Sequence, residues 1–284
     1  MATRPSASSL HRSAHGAADR ATDSDAFQYL ARAGFAASGL LHLLVAFIIA
    51  KLAFVGGAGG GPDNADQSGA LATLAGQTGG TVMLWVAAAG LVALGLWRVA
   101  EAVIGAKPGE SSGRQGDNPA WKRAKALALA VVNFAIAVSA ARYAMGSGQS
   151  SSQQNAGLSA QLMQSGWGKA VLIAVGLGVA AVGAYHVYKG VSEKFLDDLR
   201  VSGGTAVTAV GVTGYVAKGL VLAGAGLLVI VATVQADPAK ASGLDAAVKT
   251  LGQAPFGKFL LIAAALGIAA FGAYNFIRSR YSRM

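Results

Sequence analysis

An all-α membrane protein is the fold class this sequence predicts: six transmembrane helices, arranged as three tandem parallel two-helix repeats in a pseudo-threefold bundle. Three observations carry the prediction. The 284 residues are 54% hydrophobic and only 13% charged, too apolar for ordinary soluble domains. Six stretches, each about 20 residues or longer, are mostly apolar, and at 1.5 Å per residue each spans the roughly 30 Å hydrocarbon core of a bilayer. Related stretches also recur 88 or 89 residues apart, as in "GLWRVAEA" from Gly95, "GAYHVYKG" from Gly183 and "GAYNFIRS" from Gly272.

Residues 1–26 mix Ser, Ala, Arg and Asp without an apolar core, so they are expected to be a disordered cytoplasmic tail rather than a signal peptide or a folded unit. Repeat 1 occupies 27–107, with spans over 30–54 and 82–104. A cytoplasmic linker, 108–119, leads to repeat 2 over 120–196, with spans at 124–145 and 170–191. A second linker, 197–206, precedes repeat 3 over 207–284, with spans at 207–234 and 259–277 and a short basic tail.

Ungapped alignment of the even-numbered spans superposes Gly80, Gly168 and Gly257, then Gly90, Gly178 and Gly267, then Gly95, Gly183 and Gly272. Ala93, Ala181 and Ala270 coincide, as do the aromatics Trp97, Tyr185 and Tyr274. The odd-numbered spans repeat more weakly: "GFAASGLL" from Gly34 matches "GYVAKGLV" from Gly214, whereas "KALALAVV" from Lys125 has lost both glycines. A short mixed stretch precedes each even span, so the predicted unit is helix, polar loop, short amphipathic segment, helix. With "ARAGFAASG" opening the first copy and "GYVAKG" the last, the chain resembles, over about residues 28–281, the bacterial membrane family called domain of unknown function 1206. The resemblance implies three two-helix repeats in a bacterial membrane, and no activity, cofactor or catalytic residue.

Placing the N-terminal tail, the connections after spans two and four and the C-terminus on one side gathers there, with the adjoining helix ends, sixteen of the 23 Lys and Arg. The positive-inside rule then makes both termini cytoplasmic, in the cytoplasmic (inner) membrane. All three repeats insert in the same sense.

Hydrocarbon gives helices no hydrophobic reason to associate, so small residues that permit close approach must supply the packing. Gly90, Gly95, Gly178, Gly183, Gly267 and Gly272 are the expected seam, ending in Trp97, Tyr185 and Tyr274 at the interface. The following position in the three copies is Arg98, His186 and Asn275, and in the odd spans His42 aligns with Asn133 and Leu222. Intramembrane polar groups are costly, which makes His42, Asn133, Arg98, His186 and Asn275 the candidate site. Arg98, with Glu101 one turn on, and Lys218 have stems long enough to reach the headgroups. His42 and Asn133 are too short for that; they are expected either to bond to a neighbouring helix or to line a polar path, and His42 is a possible proton sensor.

Without cysteine, disulfides and thiolate chemistry are excluded. "GQAPFGKF" has phosphate-loop spacing but carries Phe259 where a metal-binding Ser/Thr belongs. His11 and His15 lack further metal ligands nearby, and the glycine-rich "GGAGGGPD" at 56–63 reads as a flexible loop. No catalytic, cofactor or metal site is expected. The net charge of +10 lies beside the spans, so anionic lipid headgroups rather than nucleic acid are the expected counter-charge. Two functions are compatible with these residues. One is a non-enzymatic structural or accessory protein binding lipids or a membrane complex; the other is a small-solute or ion channel or transporter with a polar path along the pseudo-threefold axis.

Overall fold

A computed structural model describes residues 25–55, 64–104, 119–200 and 204–282; the residues of the predicted tail up to 24, the 56–63 loop and linker residues 108–118 lie outside the described residues. The six long helices are α1 (Asp25–Val55), α3 (Gly80–Ile104), α4 (Pro119–Ala144), α6 (Gly166–Val191), α7 (Thr205–Gln235) and α9 (Gly257–Tyr281). Each is long and apolar enough to cross a membrane. The mixed stretches before the even spans are short helices, α2 (Gln67–Ala75), α5 (Ser151–Met163) and α8 (Leu244–Gln253). Pro119 opens α4 at the first helical position, where its missing N–H has no intrahelical partner to lose. Side-chain caps at Asp66, Ser150 and Ser165 accept from Gly69, Gln153 and Gly168 and fix the starts of α2, α5 and α6.

The tightest packing lies between successive repeats. α3 packs on α4, α6 on α7 and α9 on α1, each pair antiparallel. Equivalent residues meet at all three interfaces: Gly95 against Phe134, Gly183 against Ala223, Gly272 against Leu43. Within repeats 1 and 3 the two spans also pack, with Gly34 against Gly90 and Leu94, and Gly214 against Ala270 and Phe271. Repeat 2 differs. Its α4 and α6 do not pack along their lengths, and Gly178 has no atom within 4 Å of an added Cβ.

Gly178 is therefore a correction to the expected seam. The seam of the second copy runs through Gly176, against Gly226 and Ile230, and Gly183, against Gly219 and Ala223. The cause is visible in the odd helix: Lys125 stands where the other copies have Gly34 and Gly214, and a lysine stem there prevents the backbone approach that Gly178 would otherwise make. The six spans form a ring that is closed between the last and first helices and open between α4 and α6.

On the face opposite the termini, the short helices interlock. Asp66 accepts from Ser68 and Ser152, the Ala65 N–H donates to Asp245, and Ser159 and Asn155 donate to the Ala241 and Ser242 carbonyls. These bonds join all three repeats. Beneath them, Ile48, Ile49, Leu71, Leu84, Leu91, Ala140 and Val248 belong to one apolar core drawn from α1, α2, α3, α4, α8 and α9. On the terminal face, the predicted 197–206 linker is partly folded: a 3-10 turn at Leu196–Asp198 precedes buried Leu199, and the Arg200 N–H donates to the Tyr281 carbonyl at 2.8 Å.

Candidate functional site: basic residues in the terminal half

Lys218 of α7 carries the interior geometry. Its position in the first copy is Ser38, one turn before His42, so the cyclic packing of α7, α9 and α1 brings an ammonium and an imidazole to one level. Lys218 Nζ lies 3.2 Å from His42 Nε2 and 3.9 Å from the Phe271 ring centroid. His42 Nδ1 is 2.7 Å from the Ser38 carbonyl oxygen, which can only accept, so Nδ1 carries the proton and Nε2 accepts from Lys218. Lys218 thus points inward, where the sequence suggested that it would extend to the headgroups.

His186 of α6 is built the same way, with Nδ1 2.8 Å from the Val182 carbonyl and its ring stacked on Tyr215 at 5.8 Å. The charged groups that act on it are Lys218, Lys189 of its own helix, and Lys125 from across the opening. Lys125 Nζ donates to the Tyr185 hydroxyl at 3.1 Å and sits 4.9 Å from that ring's centroid.

Toward the terminal face the charges become paired. Asp198 accepts from Lys189 at 2.6 Å and lies 3.8 Å from Arg278. Burial alone would push this carboxyl up, but the guanidinium of Arg278 and the ammonium of Lys189 outweigh it and hold it below the usual carboxylate range. Arg98 pairs with Glu101 at 2.6 Å, as its spacing predicted. Glu101, Lys189 and Arg278 occupy one position in the three copies, one turn beyond the aromatics. Two of them repeat a contact with the next odd helix: Arg278 lies over Phe35 at 4.4 Å and Lys189 over Tyr215 at 5.4 Å. Tyr274, expected at the membrane interface, is instead fully buried, and its hydroxyl donates to the Phe195 carbonyl at 2.7 Å.

The terminal half of the bundle therefore carries Lys125, Lys189, Lys218, Arg98 and Arg278, with Asp198 paired to Lys189 and Arg278, and Glu101 paired to Arg98. Of the sequence-predicted residues, His42 meets Lys218, His186 stacks on Tyr215 and Arg98 pairs with Glu101. Asn133 and Asn275 donate to the carbonyls of Leu129 and Phe271, four residues back on their own helices, and bond to neither histidine. Asp198, Lys189, Arg278 and the inward course of Lys218 were missed. Register held a partial signal, since 101, 189 and 278 align. Asp198 has no such signal, because its turn belongs to a connection. Among the described residues no grouping of His, Asp and Glu could hold a metal ion.

A second feature lies between α7 and α9. The two helices touch through Gly267 and Ala217, then splay toward α8 around a cavity of about 870 Å³. Its lining, which includes Leu220, Gly224, Leu227, Leu251, Leu260 and Ala263, has Thr213 and Thr250 as its only polar side chains.

Six apolar spans in three two-helix units define a multi-pass α-helical membrane protein. The model of the family described as Domain of Unknown Function (DUF1206) matches residues 33–105, 124–193 and 213–282, and the chain belongs to that family. Each match falls within one of the three repeats read from the sequence. The chain is similar to "Uncharacterized protein YxxB" of Bacillus subtilis (strain 168), 28% identical over 258 residues that cover 89% of this chain and 90% of the relative. No solved structure matches it.

Proposed function

We propose that the protein is a non-enzymatic, lipid-binding structural or accessory protein of the cytoplasmic membrane, with both termini in the cytoplasm. The observation that carries this reading is the apolar cavity between α7 and α9: about 870 Å³ of space lies against helices long enough to span the bilayer, with almost no polar lining. That volume is in the range of small-molecule sites, roughly 300–1,000 Å³. In hydrocarbon surroundings an acyl chain is the occupant that leaves no polar group unsatisfied. The basic-residue asymmetry supports the orientation.

Conduction along the axis is the weaker reading. Lys218, His42 and His186 lie toward the terminal side, whereas Ile48, Ile49, Leu84 and Leu91 belong to a packed apolar core, which disfavours a continuous path.

Native mass spectrometry of protein released from membranes in mild detergent tests the proposal. Gly224→Trp would put an indole on the cavity lining, at a position where nothing lies within 4 Å of an added Cβ. Retained lipid should fall in the variant; equal retention would overturn the assignment of the cavity.

A further inference from the structure

We propose that the opening between α4 and α6 admits the headgroup of an anionic phospholipid, whose phosphate is held by Lys218 and Lys125. This deepens the lipid-binding reading, but it concerns a different place in the ring and a different part of the lipid. The acyl-chain cavity lies between α7 and α9; the headgroup site is reached through repeat 2.

Three independent features support it. First, α4 and α6 do not pack along their lengths, both helices carry exposed apolar side chains such as Leu127 and Leu177, and the contact recorded across the gap is Lys125 on Tyr185. A lipid can bring its headgroup in laterally while its tails stay between these side chains. Second, the charge behind the opening is unbalanced. The charges that act on His186 are those of Lys218, Lys189 and Lys125, and among the described residues no carboxylate forms an ion pair with Lys218 or Lys125. Lys189 is already committed to Asp198. Third, Lys218 is held inside the bundle by one imidazole nitrogen and the face of Phe271. An ammonium has three donors, so this arrangement leaves hydrogen-bonding capacity that a phosphate oxygen satisfies.

The polarity of the site also selects its occupant. A zwitterionic headgroup would bring a second cation among the lysines, whereas a headgroup with net negative charge brings none. The lateral entrance favours phosphate attached to a lipid over phosphate free in solution.

The experiment uses the full chain in nanodiscs of equal phosphatidylglycerol and phosphatidylcholine, read by native mass spectrometry after transfer to detergent. The wild type should retain phosphatidylglycerol about tenfold over phosphatidylcholine. Lys218→Met, which preserves length and removes charge, should reduce that preference to near one, and Lys125→Ala should weaken it several-fold. Thermal melts of both variants identify any loss caused by misfolding. Gly224→Trp should leave the preference intact. No headgroup preference in the wild type, or a preference unchanged in both lysine variants, overturns the proposal. Competition by millimolar inorganic phosphate to the same extent as by lipid also overturns it, by moving the ligand into solution. Retention of lipid without preference sinks only this site, whereas loss of the wild type's groove lipid sinks the broader reading.

Discussion

Gly183 of α6 and Gly219 of α7 face each other so closely that a methyl group on either would sit 2.6 Å from the other's carbonyl oxygen. Such mutual approach is how helices associate in hydrocarbon, where burying apolar side chains offers no advantage over lipid. Gly183→Leu is therefore expected to lower the melting temperature in detergent, with an overpacking cost of about 1–3 kcal/mol. Gly178→Leu, only five residues away but facing open space, should leave it nearly unchanged. Equal losses in the two variants would contradict the open second repeat.

Tyr274→Phe removes a hydroxyl that is the recorded donor to the Phe195 carbonyl in a fully buried position. The expected loss is about 1–3 kcal/mol, the cost of leaving a buried acceptor unpaired. Tyr185→Phe, at the equivalent but exposed position of the second copy, should cost much less. Detergent melts of the two single variants measure the difference.

Asp198 gives stability a defined acid dependence. Its folded pKa lies below the ordinary value, so its stabilising contribution is present above the unfolded value near 3.9 and is lost as pH falls through the folded value. Acid melts of the wild type should show this loss below about pH 4. Asp198→Asn should remove that step and, at neutral pH, should cost about 1–3 kcal/mol, less than a fully buried pair because the carboxylate is partly exposed.

The orientation can be tested directly because the chain has no cysteine of its own. A thiol introduced at Ser192, beyond α6 on the terminal face, should be protected from an impermeant reagent in intact cells. One at Gln164, after α5, should be labelled. The opposite pattern would reverse the proposed topology.

The helices, their threefold period and most of the seam were legible because hydrophobic length and small-residue spacing are local properties of a sequence. Lys125, in place of a glycine, carried the sign of the open repeat, although the alignment alone did not say which interface it would disrupt. Lys218 was misread because stem length permits either an outward or an inward course. Its neighbours decide between them, and His42 lies 176 residues away while Phe271 belongs to another helix. Asp198 was illegible for a related reason: a connection counted as a linker folds back under α9, and no periodicity marks it.

The ring also has a consequence for how the protein is made. Contacts are displaced by one helix from covalent hairpins, so α1 finds its most extensive partner in α9, the last span of the chain. Between the end of one and the start of the other, at translation rates of 5–20 residues per second, roughly 10 to 40 s must pass. Throughout that interval Gly39, Leu43 and the polar edge of His42 stand in the bilayer without the surface that later covers them. Nascent α1 therefore needs a temporary neighbour, either lipid or the insertion machinery, and the final helix acts as the clasp that releases it.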